Sequence, residues 1–146
     1  MMPEIVVRGF FEEIRSGRNL HLVTEFMAEK VLAHQVQAED EVTVERSPMD
    51  YADHVQEMLD VYGTFTLEIQ ELLASQQDRV YVRWKQTGTH IGEVDGYQPT
   101  RLPIIELASA VYRVEGGKIV EYWIQIDRTG ITAQLERNKK KKIENH

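Results

Sequence analysis

Residues 121–127, EYWIQID, combine two carboxylates, an amide and a tryptophan at alternating positions near the end of the chain. Strand geometry would place these four side chains on one face: Glu121, Trp123, Gln125 and Asp127. A carboxylate in a half-apolar pocket loses much of its hydration, which makes it a stronger base than one in water. If this face lines a pocket, Asp127 is predicted to act as a general base and acid.

Asp127 has a second interpretation, because it directly precedes a predicted helix in DRTGITAQL. Aspartate is preferred at helix N-caps, where its carboxylate accepts hydrogen bonds from backbone N–H groups. The two interpretations predict different surroundings, since a cap would bind residues 129 and 130 and a general base would face an enclosed cavity. Both stay open at this point.

The opposite face of the same strand carries Tyr122, Ile124 and Ile126. If the mixed face points inward, this apolar face needs a cover, and the simplest cover is the same face of a second copy in a twofold dimer. We therefore predict a homodimer through these three residues. The reverse arrangement, with the apolar face inside and Trp123 in water, is the alternative.

A second predicted strand, RVYVRWKQTGTH at residues 79–90, shows a similar mixture on one face. Trp84 and Gln86 share that face, and we expect them to lie beside Trp123 and Gln125 on one concave surface. Core packing is the simpler explanation for the tryptophans. A buried amide, in contrast, needs partners that water or a ligand could supply.

Histidine and cysteine usage argues against a metal site. The five histidines lack the spacing of zinc-binding motifs, and the chain has no cysteine. Phosphate-binding loops and the nucleophile elbow of serine hydrolases are also missing from the sequence, so we expect neither a metal nor a cofactor. His34 and His90 are interpreted as edge or loop residues or as acid–base groups. Glu106 and Glu121 are predicted to be solvated.

The composition, with 146 residues of which 42% are hydrophobic and 28% charged, corresponds to one ordinary globular domain. The formal net charge of −7 argues against a nucleic-acid partner. Acidic residues interrupt the apolar ones near the N-terminus, so we expect no signal peptide and no membrane span and predict a cytoplasmic protein. Lys139–Lys142 are interpreted as part of a solvated tail.

The elements that would position these side chains are helices followed by a run of strands. Apolar spacing predicts a helix around Val6–Ile14, a short second helix capped by Asn19, and a third helix that begins at Ser47 and carries Tyr51 on its apolar stripe. Strands are predicted at residues 30–37, 64–74, 79–90, 104–114 and 118–127, a loop or ragged strand at 38–47, and a short helix at 131–136. Helices segregated from an antiparallel meander indicate an α+β fold.

The segments DRVYVRWKQTGTHIGEVDGYQPT and VYRVEGGKIVEYWIQIDRTGITAQL resemble the SnoaL-like polyketide cyclases. These belong to the superfamily of cone-shaped α+β barrels named after nuclear transport factor two. The resemblance covers nearly all of residues 4–136 and is thinnest at 37–62. It implies a curved, mainly antiparallel sheet wrapped around N-terminal helices and enclosing a cavity, with one domain at 1–136 and a basic, disordered tail at 137–146.

The resemblance also implies a function. In the cyclases that close polyketide rings, an aspartate at the position of Asp127 removes an acidic proton flanked by carbonyls, and an aldol ring closure follows without metal or cofactor. His90 matches the histidine of the family's G-T-H motif, so Asp127 and His90 are both predicted to be catalytic. Six residues are predicted to contact a mostly apolar carbonyl substrate: His34, Tyr51, Trp84, Gln86, Trp123 and Gln125.

Two alternatives stay open because this superfamily hosts several activities. One is a non-catalytic module that binds a small ligand or dimerises, and the other is a related isomerase or dehydratase. The chain also departs from the family pattern, with Tyr122 where the family often has the histidine of E-H-W, and with RLPII after Pro99-Thr100 where it has a glycine-containing segment. These departures concern the substrate rather than the fold.

Overall fold

A computed structural model describes residues 2–144 of the chain. Helix α1 (Pro3–Phe10) continues into a π-helical turn (Phe11–Arg15), and a 3₁₀ turn (Leu20–Leu22) leads into the short helix α2 (Val23–Phe26). Helices α3 (Pro48–Tyr62) and α4 (Arg128–Glu144) follow later in the chain. The strands are β1 (Met27–Gln35), β2 (Val42–Arg46), β3 (Thr66–Ala74), β4 (Arg79–Thr89), β5 (Pro103–Glu115) and β6 (Lys118–Ile126).

The six strands form one open sheet in the order β2-β1-β6-β5-β4-β3. Every neighbouring pair is antiparallel except β1 and β6, which run parallel. Register shifts between Met27 and Leu32, Ile69 and Glu71, and Arg113 and Val114 interrupt the ladders. Such irregularities bend strands, and the curved sheet encloses the helices on its inner face. The predicted α+β class and cone are confirmed.

The core lies between the inner face of the sheet and the N-terminal helix. Phe10 and Phe11 are both fully buried and pack against Tyr112 of β5, with ring centroids 5.6 and 5.7 Å apart. Phe11 also meets the ring of Trp84 on β4 at 5.1 Å. Aromatic pairs of this kind combine a large buried apolar area with favourable edge-to-face geometry.

Local sequence signals explain where several helices begin and end. Gly17 adopts a φ of 81°, a conformation that favours glycine after a helix. The Ser47 hydroxyl accepts a hydrogen bond from the Asp50 backbone N–H, and the Asp50 carboxylate accepts one from the Ser47 N–H, so the predicted start of α3 is a capping box. The predicted cap at Asn19 does not form, because the Asn19 amide instead donates to the Glu13 carboxylate.

Two segments differ from the prediction. Residues 38–47, which fitted either a loop or a strand, contain the strand β2, which pairs with β1. Helix α4 extends from Arg128 to Glu144 instead of ending at residue 136, so most of the predicted disordered tail is helical. Residues 145 and 146 of that tail lie outside the described residues. None of the helices within residues 2–144 has the length and hydrophobicity needed to cross a lipid bilayer.

Candidate functional site

Strand β6 turns its apolar face inward, contrary to the prediction. Tyr122 is 3% exposed and belongs to the core, and Ile124 and Ile126 pack against it. Trp123 lies on the outer face and is partly exposed. Because β6 is a central strand whose inner face must exclude water, its apolar side chains gain most from burial there. The predicted dimer contact through Tyr122, Ile124 and Ile126 is therefore wrong, since their own chain covers them.

Asp127 is a helix cap. Its Oδ1 accepts a hydrogen bond of 2.9 Å from the backbone N–H of Gly130, at the start of α4, and the residue is exposed. The predicted position of Asp127 in the enclosed interior is wrong, because the carboxylate lies on the outer face and is engaged with the helix terminus.

An interior cavity of about 40 Å³ lies between α3 and the inner face of the sheet. Its lining combines charged, aromatic and aliphatic side chains: Arg15, Gln35, Arg46, Tyr51, His54, Met58, Glu106, Tyr122, Ile124 and Ile126. Of the residues predicted to contact a substrate, Tyr51 lines this cavity directly. Trp84 and Gln86 lie on the inner face of β4 as expected and are buried.

The centre of this site is an ion pair. Arg15 Nη2 donates a hydrogen bond of 2.9 Å to Glu106 Oε2, and the two side chains are only 4% and 14% exposed. The Arg15 guanidinium also lies 5.6 Å from the ring centroids of Phe65 and Trp84. The prediction that Glu106 is solvated is wrong, because the register of β5 sets Glu106 opposite Gln86 on the inner face.

Several buried polar atoms around this ion pair have no hydrogen-bond partner among the described residues. They are Arg15 Nη1, Gln86 Oε1, Trp84 Nε1 and Arg46 Nε. Buried polar groups are nearly always satisfied by protein, water or ligand. Two donors from arginines, an indole donor and an amide acceptor in one neighbourhood therefore suit a polar ligand or ordered water.

The phenols and the imidazole at this site keep defined protonation states near neutral pH. Burial raises the pKa of Tyr51 and of Tyr122, so both phenols stay protonated and can donate hydrogen bonds. At the rim, partial burial lowers the pKa of His54, and the positive charges of Arg46 and Arg15 lower it further. The His54 ring is therefore neutral near pH 7.

His90 is fully buried, but it is not among the residues that line the cavity. Its Nδ1 lies 3.5 Å from the Thr100 hydroxyl, and its backbone pairs with Leu102 and Arg101. Its Nε2 has no partner within residues 2–144. His90 thus holds the loop after β4 in place. It is buried, whereas Asp127 is exposed at the start of α4, and no hydrogen bond joins the two side chains within residues 2–144.

His34 and Trp123 form a cluster on the outer face of the sheet. Their rings stack with centroids 5.1 Å apart, and His34 Nε2 lies 2.6 Å from Glu121 Oε2. Arg113 Nε donates to the other Glu121 oxygen at 3.0 Å. Burial raises the pKa of Glu121, but the hydrogen bonds from His34 and Arg113 outweigh it and lower the pKa overall. Glu121 is thus a paired group rather than the solvated one predicted, and Gln125 is exposed on the same outer face.

Both residues of the ion pair carry a signal in the sequence, which is a charged side chain on an apolar face. Arg15 follows Phe11 by four positions, so it falls on the buried side of the first helix. Glu106 alternates with Ala108 and Ala110 along β5 and shares their inward face. A charged residue on a predicted apolar face is the observation that identifies such a site. Among residues 2–144, no group of three histidine, aspartate or glutamate side chains is placed to hold a metal ion.

Comparison with known proteins gives a consistent result. A family model described as SnoaL-like polyketide cyclase matches residues 5–135. The chain is 26% identical to IdmH, described as a "putative polyketide cyclase" from Streptomyces antibioticus, with a TM-score of 0.77 over 93% of this chain and 99% of that one. A crystal structure with the same description, from Acidithiobacillus ferrooxidans, gives 24% identity and a TM-score of 0.79 over 91% and 93% of the two chains.

A differently described protein has the same architecture. AclR from Streptomyces galilaeus, described as a "putative hydroxylase", is 24% identical with a TM-score of 0.71 over 88% of this chain and 83% of that one. No curated protein matches the chain. Different activities on one fold mean that the reaction has to be argued from the site.

Proposed function

Since this chain belongs to the SnoaL-like polyketide cyclase family, we propose that it is a small acid–base enzyme that acts on a mostly apolar carbonyl compound inside the cone. The observation that carries the proposal is the Arg15–Glu106 ion pair, 2.9 Å long and largely enclosed by aromatic side chains. A carboxylate and a guanidinium side by side in an apolar interior are the groups that enolate chemistry needs.

In this proposal Glu106 is the general base and acid. Its carboxylate removes a proton from a carbon flanked by two carbonyls, and the resulting carbanion attacks a third carbonyl elsewhere in the substrate. Glu106 then returns the proton to the alkoxide that the new carbon–carbon bond creates. Arg15 donates from Nη1, which has no partner among the described residues, to the enolate oxygen where negative charge develops.

The size of the cavity requires movement when a substrate binds. A volume of about 40 Å³ holds ordered water but not an aromatic ketone. His54 and Met58 of α3 lie at the partly exposed rim. In this proposal these side chains move outward when the substrate enters, a change of the size commonly seen when ligands bind.

A homodimer remains part of the proposal, but through a different set of residues. The outer face of the sheet carries three partly exposed leucines and an isoleucine, Leu32, Leu73, Ile105 and Leu107. A second copy of the chain is the partner we propose for this face. Sedimentation equilibrium would give a dimer mass for the wild type and a monomer mass for Leu107→Glu. A wild-type monomer would overturn this part.

The proposed reaction can be tested by comparing Glu106→Gln with Asp127→Asn. Aryl β-diketones that can close a ring by aldol addition would be incubated with each variant, and products identified by mass spectrometry. General acid–base catalysis is typically worth about 10²–10⁴-fold, so Glu106→Gln should lose activity by that factor. Asp127→Asn should stay within about threefold of the wild type, because Asn also serves as a helix cap.

The other outcomes distinguish the alternatives. Full activity in Glu106→Gln together with loss in Asp127→Asn would overturn the proposal in favour of the base first predicted. Binding of the diketones without any product in the wild type would indicate a non-catalytic ligand-binding module. A product that is isomerised or dehydrated rather than cyclised would assign a related isomerase or dehydratase.

A further inference from the structure

We propose that the interior site takes a substrate that carries a carboxylate in addition to its ketone, and that Arg46 binds this carboxylate. The inference rests on the proposed function, because it names the substrate class of the same site. Its basis is the position of Arg46 and the balance of charge in the cavity.

Arg46 faces the interior from the end of β2. It pairs with Val31 of β1, whose side chain is fully buried on the inner face. Cross-strand partners share a face of the sheet, so Arg46 points to the same side as Val31. Arg46 is accordingly among the residues that line the cavity, and its Nε is enclosed without a hydrogen-bond partner in the described part of the chain.

The charges in the cavity do not balance. Two guanidinium groups, Arg15 and Arg46, face one carboxylate, Glu106. Arg15 takes Glu106 as its partner at 2.9 Å, and Arg46 forms no ion pair within residues 2–144. The Asp50 carboxylate caps α3 by accepting a hydrogen bond of 3.0 Å from the Ser47 backbone N–H, and this contact and, to a lesser degree, the charge of Arg46 lower its pKa. The Asp50 and Arg46 side chains nevertheless form no ion pair within residues 2–144.

The remaining titratable groups of the cavity do not supply the missing negative charge. Partial burial, with help from Arg46, lowers the pKa of His54, and burial raises the pKa of Tyr51 and Tyr122. These three groups are therefore neutral near pH 7. A partly enclosed guanidinium without a partner loses hydration, which destabilises the free protein. An anionic ligand that forms hydrogen bonds to the guanidinium compensates for this lost hydration.

Carboxylate recognition suits an arginine better than any other side chain, because the planar guanidinium can donate two parallel hydrogen bonds to the two oxygens. With the carboxylate at Arg46, the proposal assigns the ketone oxygen of the same molecule to Arg15, the other arginine that lines the cavity. The substrate class assigned to the site is thus an apolar keto acid, and Arg46 is its specificity-determining residue.

The test compares 4-oxo-4-phenylbutanoate with its methyl ester, which replaces the negative charge by a methyl group and keeps the aryl ketone. Isothermal titration calorimetry on the full chain should show that the wild type binds the acid about tenfold more tightly than the ester. In Arg46→Met, which keeps the apolar volume, the two affinities should agree within about twofold, and the ester should bind as it does to the wild type. Arg83→Met, which removes an exposed arginine from the outer face, is the matched control and should keep the preference.

Folding stability provides a second readout. Arg46→Met removes a charge that has no partner, so the melting temperature of the variant should equal or exceed that of the wild type. If Arg46 had a structural role, the substitution should instead lower the melting temperature. The carboxylate assignment would be overturned if the wild type bound acid and ester equally, or if the preference for the acid survived in Arg46→Met. In either case, binding of the ester would still support a ligand site in the cavity. Failure of both compounds to bind at about 10 mM would overturn both proposals.

Discussion

Arg15 and Glu106 are 91 positions apart in the sequence and meet inside the cone, where Arg15 Nη2 lies 2.9 Å from Glu106 Oε2. One residue ends the π-helical turn after α1 and the other lies on the inner face of β5. Extra residues in π-helical turns often occur at functional sites, because they redirect a side chain that an α-helix would place elsewhere. The pair thus joins the N-terminal helix to the sheet and brings a guanidinium and a carboxylate together in the interior.

The ion pair predicts strong coupling between the two positions. Arg15→Met leaves the Glu106 carboxylate enclosed without a cation and should lower the free energy of unfolding by about 3–5 kcal/mol. Glu106→Leu should cost a similar amount, and the double variant should recover most of the loss because no charge remains buried. Urea denaturation measures all three. The exposed pair Arg83–Glu71 is the control and should show coupling below about 1 kcal/mol.

Losses that simply add in the double variant would contradict a direct interaction between Arg15 and Glu106. Such a result would also remove the support for Arg15 as the residue that orients Glu106, the proposed base.

The cap at α4 predicts how Asp127 contributes to stability. Asp127→Ala should lower the free energy of unfolding by about 1 kcal/mol, because the Gly130 N–H loses its acceptor. Asp127→Asn should lower the free energy of unfolding by only about 0.3 kcal/mol, since the asparagine side-chain oxygen can accept the same hydrogen bond. Thermal unfolding followed by circular dichroism measures both variants. Equal stability of Asp127→Ala and wild type would exclude the cap.

The outer cluster predicts a dependence of stability on pH. The pKa of Glu121 is lowered in the folded protein by His34 and Arg113, so its ionised form stabilises the fold. This contribution is present above the ordinary pKa of a glutamate and is lost as pH falls through the lowered value in the folded state. The stability difference between wild type and Glu121→Gln should therefore be present in full above about pH 5 and shrink towards pH 3.

The measurement is a series of urea denaturations between those pH values. Glu68→Gln is the matched control, because Glu68 is exposed on the outer face and forms no ion pair within the described residues. A difference for Glu121→Gln that grows as the pH falls from about 5 to 3 would contradict the assigned role of His34 and Arg113.

Much of the fold could be predicted from local sequence patterns. Ser47, Pro48 and Asp50 predict the start of α3, and the alternation along β4 predicts that Trp84 and Gln86 share its inward face. These features depend on residues close together in the chain, where spacing and capping chemistry decide the outcome.

The site could be predicted only in part, because the inward face of β6 depends on distant residues. The alternation of EYWIQID defines two faces but not which one meets the helices. Tyr51 of α3 packs against Tyr122, and Phe10 of α1 packs against Tyr51, so this tertiary packing makes the apolar face the inner one. The predictions for Trp123, Gln125 and Asp127 assume the other face, and the inward position of Glu106 depends equally on tertiary packing that local alternation does not define.

The two tryptophans lie on opposite faces of the sheet and allow the most direct test of where a ligand binds. Trp84 is fully buried inside beside Arg15, and Trp123 stacks on His34 outside. The ¹H–¹⁵N spectrum of the indole N–H groups, assigned with Trp123→Phe, would be recorded while methyl 4-oxo-4-phenylbutanoate is added. A ligand at the Arg15–Glu106 pair should shift the Trp84 signal and leave the Trp123 signal unchanged. A shift of the Trp123 signal alone would contradict an interior site. It would indicate that the ligand binds on the outer face of β6, at residues 121–127.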